Sequence, residues 1–255
     1  MDSLGDRMKG YEKVSRYYLT RRMPLIIRVD GRAFHTHTKR YSPFSDVLDT
    51  RLTHTAMFLC ENIAGAKFAY RQSDEISILV VDYDKLTTEP WFDKNLQKVV
   101  SISAALATAK YNSFHPFTDL PTFDSRAFVV PREEVTNYFI WRQQDWTRNS
   151  ILMLASMWFS HKEMHGKNTD ELQDMLMKKH NINWNNIPVK FKRGTGVYKT
   201  PDQGWQPDIE IPIFTKDRNY VEKFLEGEEE KEQRHLIKEM TFAERYGAKS
   251  KNMLP

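Results

Sequence analysis

The order in which strand-like and helix-like periods follow one another in the first half of this chain does most to limit its fold. Leu25-Ile26-Ile27-Arg28-Val29 is a short apolar run rich in β-branched residues and ends at Asp30-Gly31, the pattern of a buried strand entering a turn. From Asp46 to Ala64 the residues Leu48, Leu52, Ala56, Leu59 and Ile63 recur every three or four positions, one face of a helix. Asp46 is the candidate N-cap and Gly65 the candidate C-cap. Lys67 to Arg71 and Ile76 to Val81 are two strand-like runs joined by the polar Gln72-Ser73-Asp74-Glu75, which predicts a hairpin. Phe92 to Phe114 predicts a second long helix, with Leu96, Val99, Val100, Ser103, Leu106, Ala107 and Tyr111 on or near one face. Ala127-Phe128-Val129-Val130, stopped by Pro131, reads as a further strand. The order is β-α-β-β-α-β, the split-βαβ or ferredoxin-like arrangement of the α+β class.

The second half reads as more helical. Glu133 to Phe159 predicts one long helix or two, and Thr169 to His180 a shorter one. Val189 to Lys199, around Lys192-Arg193-Gly194-Thr195-Gly196, reads as a basic hairpin, and the acidic stretch Glu226 to Glu232 as a solvated helix face. This divides the chain into a catalytic-domain candidate at 5–135 and a mainly helical and hairpin region at 136–255 packed on it. A chain of 255 residues, 40% hydrophobic and 13% aromatic, can bury a core without staples. The one cysteine, Cys60, excludes an internal disulfide and a multi-cysteine zinc cage, and fits a reducing, cytoplasmic compartment. No apolar run approaches the roughly 20 residues that span a bilayer, so no membrane partner is expected. Met1 to Arg22 mixes charges with Tyr11, Tyr17 and Tyr18 and has no signal-peptide core. The net charge of +4 permits a polyanionic partner such as nucleic acid without demanding one.

The topology carries a chemical statement. In a split βαβ the first and second strands run parallel, with the third between them and antiparallel, so the end of strand one lies beside the start of strand three. Asp30 closes the first, Asp74 precedes the third, and Glu75 flanks them. Two converging carboxylates repel and raise one pKa, unless a divalent cation supplies the dominant local charge. Oxygen donors without a His or Cys cluster point to magnesium, which takes one or two carboxylates plus substrate phosphates. Gly31 lets a metal or phosphate approach the backbone. Arg32-Ala33-Phe34-His35 can present backbone N–H groups to a triphosphate. Such a site suits two-metal displacement at phosphorus. Taken singly, Asp-Gly is a common turn and Ser-Asp-Glu a common loop; their joint placement gives the functional reading its weight.

Several segments in order resemble the histidine-tRNA guanylyltransferase family. They are Arg28-Val29-Asp30-Gly31-Arg32-Ala33-Phe34-His35, Tyr70-Arg71-Gln72-Ser73-Asp74-Glu75-Ile76-Ser77, Phe123-Asp124-Ser125-Arg126 and Trp141-Arg142-Gln143-Gln144-Asp145. Lys192-Arg193-Gly194-Thr195 is similar to the family's late Lys-Gly-Thr segment. The resemblance implies a palm domain like that of polymerases, two magnesium ions, and addition of nucleotides to tRNA 5′ ends in the 3′-to-5′ direction. It implies activation of a 5′ monophosphate with ATP, or direct use of a 5′ triphosphate. The 3′ hydroxyl of an incoming nucleotide such as GTP then attacks the activated end. By resemblance, Asp30, the Gly31 carbonyl and Asp74 hold the metals, and Asp30, Asp74 and Glu75 are the catalytic carboxylates. Asp30, Gly31, Arg32, Ala33, Phe34 and His35, with Ser73 and Asp74, bind the nucleoside triphosphate. The resemblance also implies a homotetramer.

Two departures matter. Guanylyltransferases proper carry His-Ile-Asn-Asn soon after the Trp-Arg-Gln segment, where this chain has Thr147-Arg148-Asn149-Ser150. That resembles the family's other branch, which repairs 5′-truncated tRNA by template-directed addition. The family lysine before the Pro of the first loop is also missing: Ser42-Pro43 stands there, with Lys39 and Arg40 upstream as substitutes.

Other residues carry two readings each. Arg126 is either an ion-pair partner of Asp124 or Glu133, or a planar phosphate clamp. Asn149 sits one helical turn after Asp145 and is either a surface hydrogen bond or a nucleotide or tRNA contact. Lys190, Lys192, Arg193 and Lys199, interleaved with Phe191 and Tyr198, suit an RNA phosphate backbone, or are an ordinary lysine-rich surface. His35 and His37 lack further zinc ligands, which leaves His35 near the triphosphate. The leading expectation is a magnesium-dependent nucleotidyltransferase acting on tRNA 5′ ends to repair them. The alternatives are a histidine-tRNA guanylyltransferase proper, a palm-type nucleotide cyclase, and a non-catalytic RNA-binding module. The last needs aromatics on its central strands, which Ile76-Ser77-Ile78-Leu79-Val80 lacks.

Overall fold

A computed structural model describes residues 3–114, 118–227 and 237. Six strands form one antiparallel sheet: β1 (Leu25–Arg32), β2 (Ala66–Gln72), β3 (Glu75–Val80), β4 (Thr122–Val129), β5 (Thr195–Thr200) and β6 (Gly204–Asp208), in the order β4-β1-β3-β2-β5-β6. The first four strands are the expected split βαβ, and the hairpin β5–β6 extends it beside β2. The helices are α1 (Leu4–Val14), α2 (Phe34–Thr38), α3 (Asp46–Asn62), α4 (Leu96–Asn112), α5 (Arg132–Ser156), α6 (His161–Met164), α7 (Thr169–His180), α8 (Val189–Arg193) and α9 (Asn219–Glu222). No described helix is long and apolar enough to cross a membrane.

Strand alternation explains where the core sits. Leu25, Ile27, Val29, Ile76 and Ile78 face α3 and α4, where Leu52, Ala56, Leu59, Val99 and Tyr111 meet them. Ile26, Phe68, Tyr70 and Leu79 point the other way, into Val135 and Phe139 of α5 and into Ile211, Phe214 and Val221. With both faces covered, the central strands read as nearly unbroken apolar runs. A smaller cluster ties the end of α5 to α7 through Ile151, Leu154, Leu172 and Leu176.

Several boundaries differ from the sequence reading, each for a local reason. β1 does not stop at Val29 but continues through Asp30, Gly31 and Arg32, because it pairs there with Asp124, Phe123 and Thr122. β4 likewise begins earlier than Ala127, at Thr122, so that Asp124 and Arg126 are strand residues. The N-cap of α3 is Ser45, whose hydroxyl accepts from the Leu48 N–H, and its C-cap is Ile63. Gly65, at φ +83°, instead turns the chain into β2, where a Cβ would meet the Val81 carbonyl oxygen at 2.5 Å. α4 starts at Leu96, capped by Asn95, because Phe92, Asp93 and Lys94 all take positive φ. The segment 189–199 is not a hairpin. Val189–Arg193 is a helical turn, Gly194 at φ +87° passes against the Arg71 carbonyl, and β5 then pairs with β2 and β6. Most of the acidic stretch Glu226 to Glu232 lies outside the described residues.

Candidate active site

The β2–β3 hairpin closes over two residues, Ser73 and Asp74, with Gln72 paired to Glu75. Ser73 takes φ +46°, a left-handed conformation that disfavours a non-glycine residue. In the register of the sheet, Asp30 lies between Glu75 on β3 and Asp124 on β4. Asp74 then folds over the end of β1. A Cβ placed on Gly31 would sit 2.7 Å from Asp74 Oδ2 and would overlap the Phe34 ring. Two motifs far apart in sequence thus meet at one rim of the sheet, and glycine is the residue that leaves room for the meeting.

The charges are held under tension. Burial pushes the Asp74 carboxyl up to about 6, with the Asp30 and Glu75 carboxylates adding to the rise; its own backbone N–H and the Ser73 hydroxyl pull the other way. Asp30 is also raised, first by burial, then by Glu75 and Asp124, against the pull of Arg126 and Arg28. Two carboxyls that resist ionising together are what a divalent cation relieves. Among the described residues no three His, Cys, Asp or Glu side chains are placed to hold an ion by themselves. Asp30, Asp74 and backbone oxygen such as that of Gly31 are the groups at this rim that could hold such an ion. They leave further positions to water and phosphates, which fits magnesium.

Glu75 stands apart from this pair. It is buried, and Arg142 grips both its oxygens, Nε to Oε1 at 2.7 Å and Nη2 to Oε2 at 2.8 Å. Gln72 adds a donor to Oε1 at 3.1 Å.

Beyond Gly31, Ala33 at φ +52° turns β1 into α2. Phe34 and His37 anchor α2 from beneath. The Phe34 ring packs on Tyr111 and Phe123, and His37 joins Asp119 at 2.8 Å and the Tyr111 hydroxyl at 2.9 Å. Arg32, Ala33, His35 and Lys39 are left facing outward. Phe34 is thus a core anchor of the loop. Arg126 is half-exposed, 3.7 Å from Asp124, and contributes positive charge toward Asp30. Asn149 donates to Asp145 at 3.4 Å on α5.

The basic residues of 190–199 are not gathered into one exposed patch. Lys190 pairs with Asp46 at 2.6 Å and Asp49 at 3.4 Å. Lys192 is buried and donates to the Asn185 carbonyl at 2.6 Å, and Arg193 is partly buried. Lys199 is exposed on β5.

Sequence reasoning overlooked two features. One is the grip of Arg142 on Glu75. The other is a cavity of about 190 Å³ beside Ser73, lined by Tyr41, Pro43, Phe44, Leu48, Trp146 and Phe191, with the buried Arg71–Asp49 ion pair at its wall. Arg71 and Arg142 lie inside the quoted segments, so their positions were marked but their partners were not.

The family model described as Thg1: tRNAHis guanylyltransferase matches residues 5–131. A tRNA(His) guanylyltransferase of Debaryomyces hansenii is 31% identical over 203 residues, covering 70% of this chain and 74% of that protein. The chain belongs to the Thg1 family. Its homologues are tRNA guanylyltransferases, which are nucleotidyltransferases. The Schizosaccharomyces pombe tRNA(His) guanylyltransferase is 27% identical over 232 residues, 82% of this chain and 86% of the relative. Among solved structures, a bacterial Thg1-like protein in complex with ATP superposes with a TM-score of 0.84 at 50% identity, covering 88% of this chain and 99% of that one. A bacterial Thg1-like protein in complex with GTP gives 0.80 at 48% identity over the same shares. The α+β sheet with its helices is thus the palm-like fold of Thg1 proteins.

Proposed function

We propose that this Thg1-family chain is a magnesium-dependent nucleotidyltransferase that adds nucleotides to tRNA 5′ ends in the 3′-to-5′ direction, as template-directed repair of 5′-truncated tRNA. The observation that carries this reading is the packing of Asp74 Oδ2 against Gly31, beside Asp30. Asp30, Asp74 and the Gly31 carbonyl hold the magnesium ions. When bound, these supply positive charge to the phosphates and lower the pKa of the attacking hydroxyl.

The chain's own residues bind and orient. The left-handed turn at Ala33 exposes Arg32 and His35 along the path of a triphosphate, with Lys39 following. The purine enters the cavity beside Ser73, whose aromatic and apolar lining excludes water from the base. The ATP and GTP complexes of the bacterial Thg1-like proteins support nucleotides as substrates here. Arg126 offers a guanidinium for a phosphate beside the acidic row. Asn149 and the exposed Lys199 are offered to the nucleotide and the RNA backbone. Lys190, Lys192 and Arg193 serve RNA only by giving up their present partners.

The repair reading is favoured over histidine-tRNA guanylylation by Thr147-Arg148-Asn149-Ser150 on α5, where Arg148 is exposed and paired with Asp145. The names of the fungal relatives favour guanylylation instead. One experiment separates the two. Purified protein is given tRNA lacking its first nucleotide, with magnesium and each triphosphate separately. Template-matched incorporation is expected; guanosine addition only to full-length histidine tRNA overturns the repair reading. Replacing Asp74 with Ala should lower incorporation at least about a thousandfold, roughly 4 kcal/mol of barrier. Near-normal turnover by that variant rules out the metal assignment. A homotetramer, which the family resemblance implies, is checked by light scattering.

A further inference from the structure

Asp74 works only if the two-residue turn that carries it is held still, and the turn is strained at Ser73. A left-handed non-glycine residue persists where its flanks are over-determined. Both flanks of this turn are buried: Gln72 on β2 and Glu75 on β3, with the Gln72 amide donating to Glu75 Oε1. Within the hairpin the Ser77 hydroxyl adds a long contact to Oε1 at 3.4 Å, and the bidentate hold on Glu75 comes from outside it. Arg142 lies in the middle of the 25-residue helix α5 and presents its guanidinium edge-on, one nitrogen to each carboxylate oxygen. Arg142 is itself fixed on two further sides. Asp145 accepts from its Nη2 at 3.2 Å, and its guanidinium lies 4.5 Å from the centre of the Trp141 ring.

We infer that Arg142 is a positioning residue for the metal-binding turn, acting through Glu75, and that Glu75 is a tether and neither a metal ligand nor a proton acceptor. The inference rests on the nucleotidyl-transfer reading of the Asp30–Asp74 site. With both oxygens engaged by a planar fork, Glu75 swings toward a cation only by breaking two charge-assisted hydrogen bonds to a buried guanidinium, which is costly. Through Glu75 the pair fixes the geometry of the turn, beside the Coulombic rise that the Glu75 carboxylate gives Asp74. Lysine cannot reproduce the fork, because its ammonium is a compact charge on a flexible stem and its three donors do not form a planar edge that meets both carboxylate oxygens.

The test compares Glu75→Gln, Arg142→Met, Arg142→Lys and the double variant Glu75→Gln/Arg142→Met, with Asp74→Ala as the reference. The measurements are kcat, the magnesium concentration at half-maximal rate, KM for the triphosphate, and the thermal midpoint. Arg142→Met is expected to raise the half-maximal magnesium concentration and to lower kcat about tenfold or more, with KM nearly unchanged. Arg142→Lys, which keeps the charge and guards against a misfolded Met variant, is expected to recover only part of this. The double variant is expected to be no worse than the poorer single one, the sign of two residues acting as a unit. A loss in Glu75→Gln as deep as in Asp74→Ala, with Arg142→Met near normal, overturns the inference and makes Glu75 a ligand or base. Normal magnesium dependence in every Arg142 variant, beside an inactive Asp74→Ala, overturns the inference and leaves the proposed function standing. Full turnover by Asp74→Ala overturns both.

Discussion

Asp74 carries a conflict that is measurable in the free protein. A carboxyl has an ordinary pKa near 3.9 in an unfolded chain, and burial beside Asp30 lifts Asp74 to about 6 in the fold. The folded form therefore holds its proton more tightly. The contribution of this group to stability is present below about pH 4 and is lost as pH rises through 6, because ionised Asp74 is worse off folded than unfolded. In the absence of divalent cations, Asp74→Asn should stabilise the protein at pH 7, on the order of 2 kcal/mol, and the gain should fade at pH 4. Chemical denaturation at the two pH values decides it; an equal or negative change at pH 7 contradicts the burial argument. Gly31 gives the steric counterpart. Gly31→Ala drives a methyl into the Phe34 ring and Asp74 Oδ2. A stability loss of about 1–3 kcal/mol is expected, together with loss of nucleotide incorporation.

At the scale of elements, the periodic segments were legible and their ends were not. α3, α4 and the central strands bury apolar residues at regular spacing, so the pattern shows in the sequence. β1 was read three residues short because its last residues, Asp30-Gly31-Arg32, pair at the functional rim, where the strand carries charge in place of apolar side chains. α4 starts four residues later than its pattern because Phe92 continues the apolar spacing although Phe92, Asp93 and Lys94 are left-handed, and it ends two residues earlier, at Asn112. Gly194 looked like the turn of a hairpin, yet it is a close-approach residue between α8 and β5. The segment before α4 has its own anchor. The Lys94 ammonium is buried and donates to the carbonyls of Thr20 and Met23 at 2.8 Å each, with Asp82 at 3.0 Å. Lys94→Met leaves Asp82 buried without its cation and should cost about 3–5 kcal/mol. Because Asp82 follows β3 at the sheet end opposite Glu75, the magnesium requirement of the folded variant should stay at the wild-type value. A shifted requirement would mean that the two ends of the sheet are coupled.

Across the whole molecule, the site is a property of topology more than of any one segment. The meeting of Asp30 and Asp74 followed from strand order alone, since a third strand inserted between two parallel ones must start where the first ends. The contacts that steady the meeting could not be read that way. Arg142 with Glu75, Arg71 with Asp49, and the Gln143 amide with the Pro212 carbonyl and Phe214 N–H join segments whose distance in sequence carries no period. They matter because they bind α3 and α5 to the hairpin bearing Asp74, and the 211–214 segment to α5, so that a ligand at the rim acts on the fold as a unit. A ligand that binds only the folded state stabilises it by RT ln(1 + [L]/Kd), about 2.7 kcal/mol at a hundred times Kd. For a chain of this size that corresponds to a rise of roughly 5–10 °C in thermal midpoint. Magnesium with a non-hydrolysable triphosphate should produce such a rise in the wild-type protein. The triphosphate without the cation should produce much less, because the unrelieved Asp30–Asp74 pair repels the phosphates it must face. In Asp74→Asn the difference between the two conditions should collapse, since one carboxylate no longer holds the ion. An undiminished difference in that variant would place the cation elsewhere.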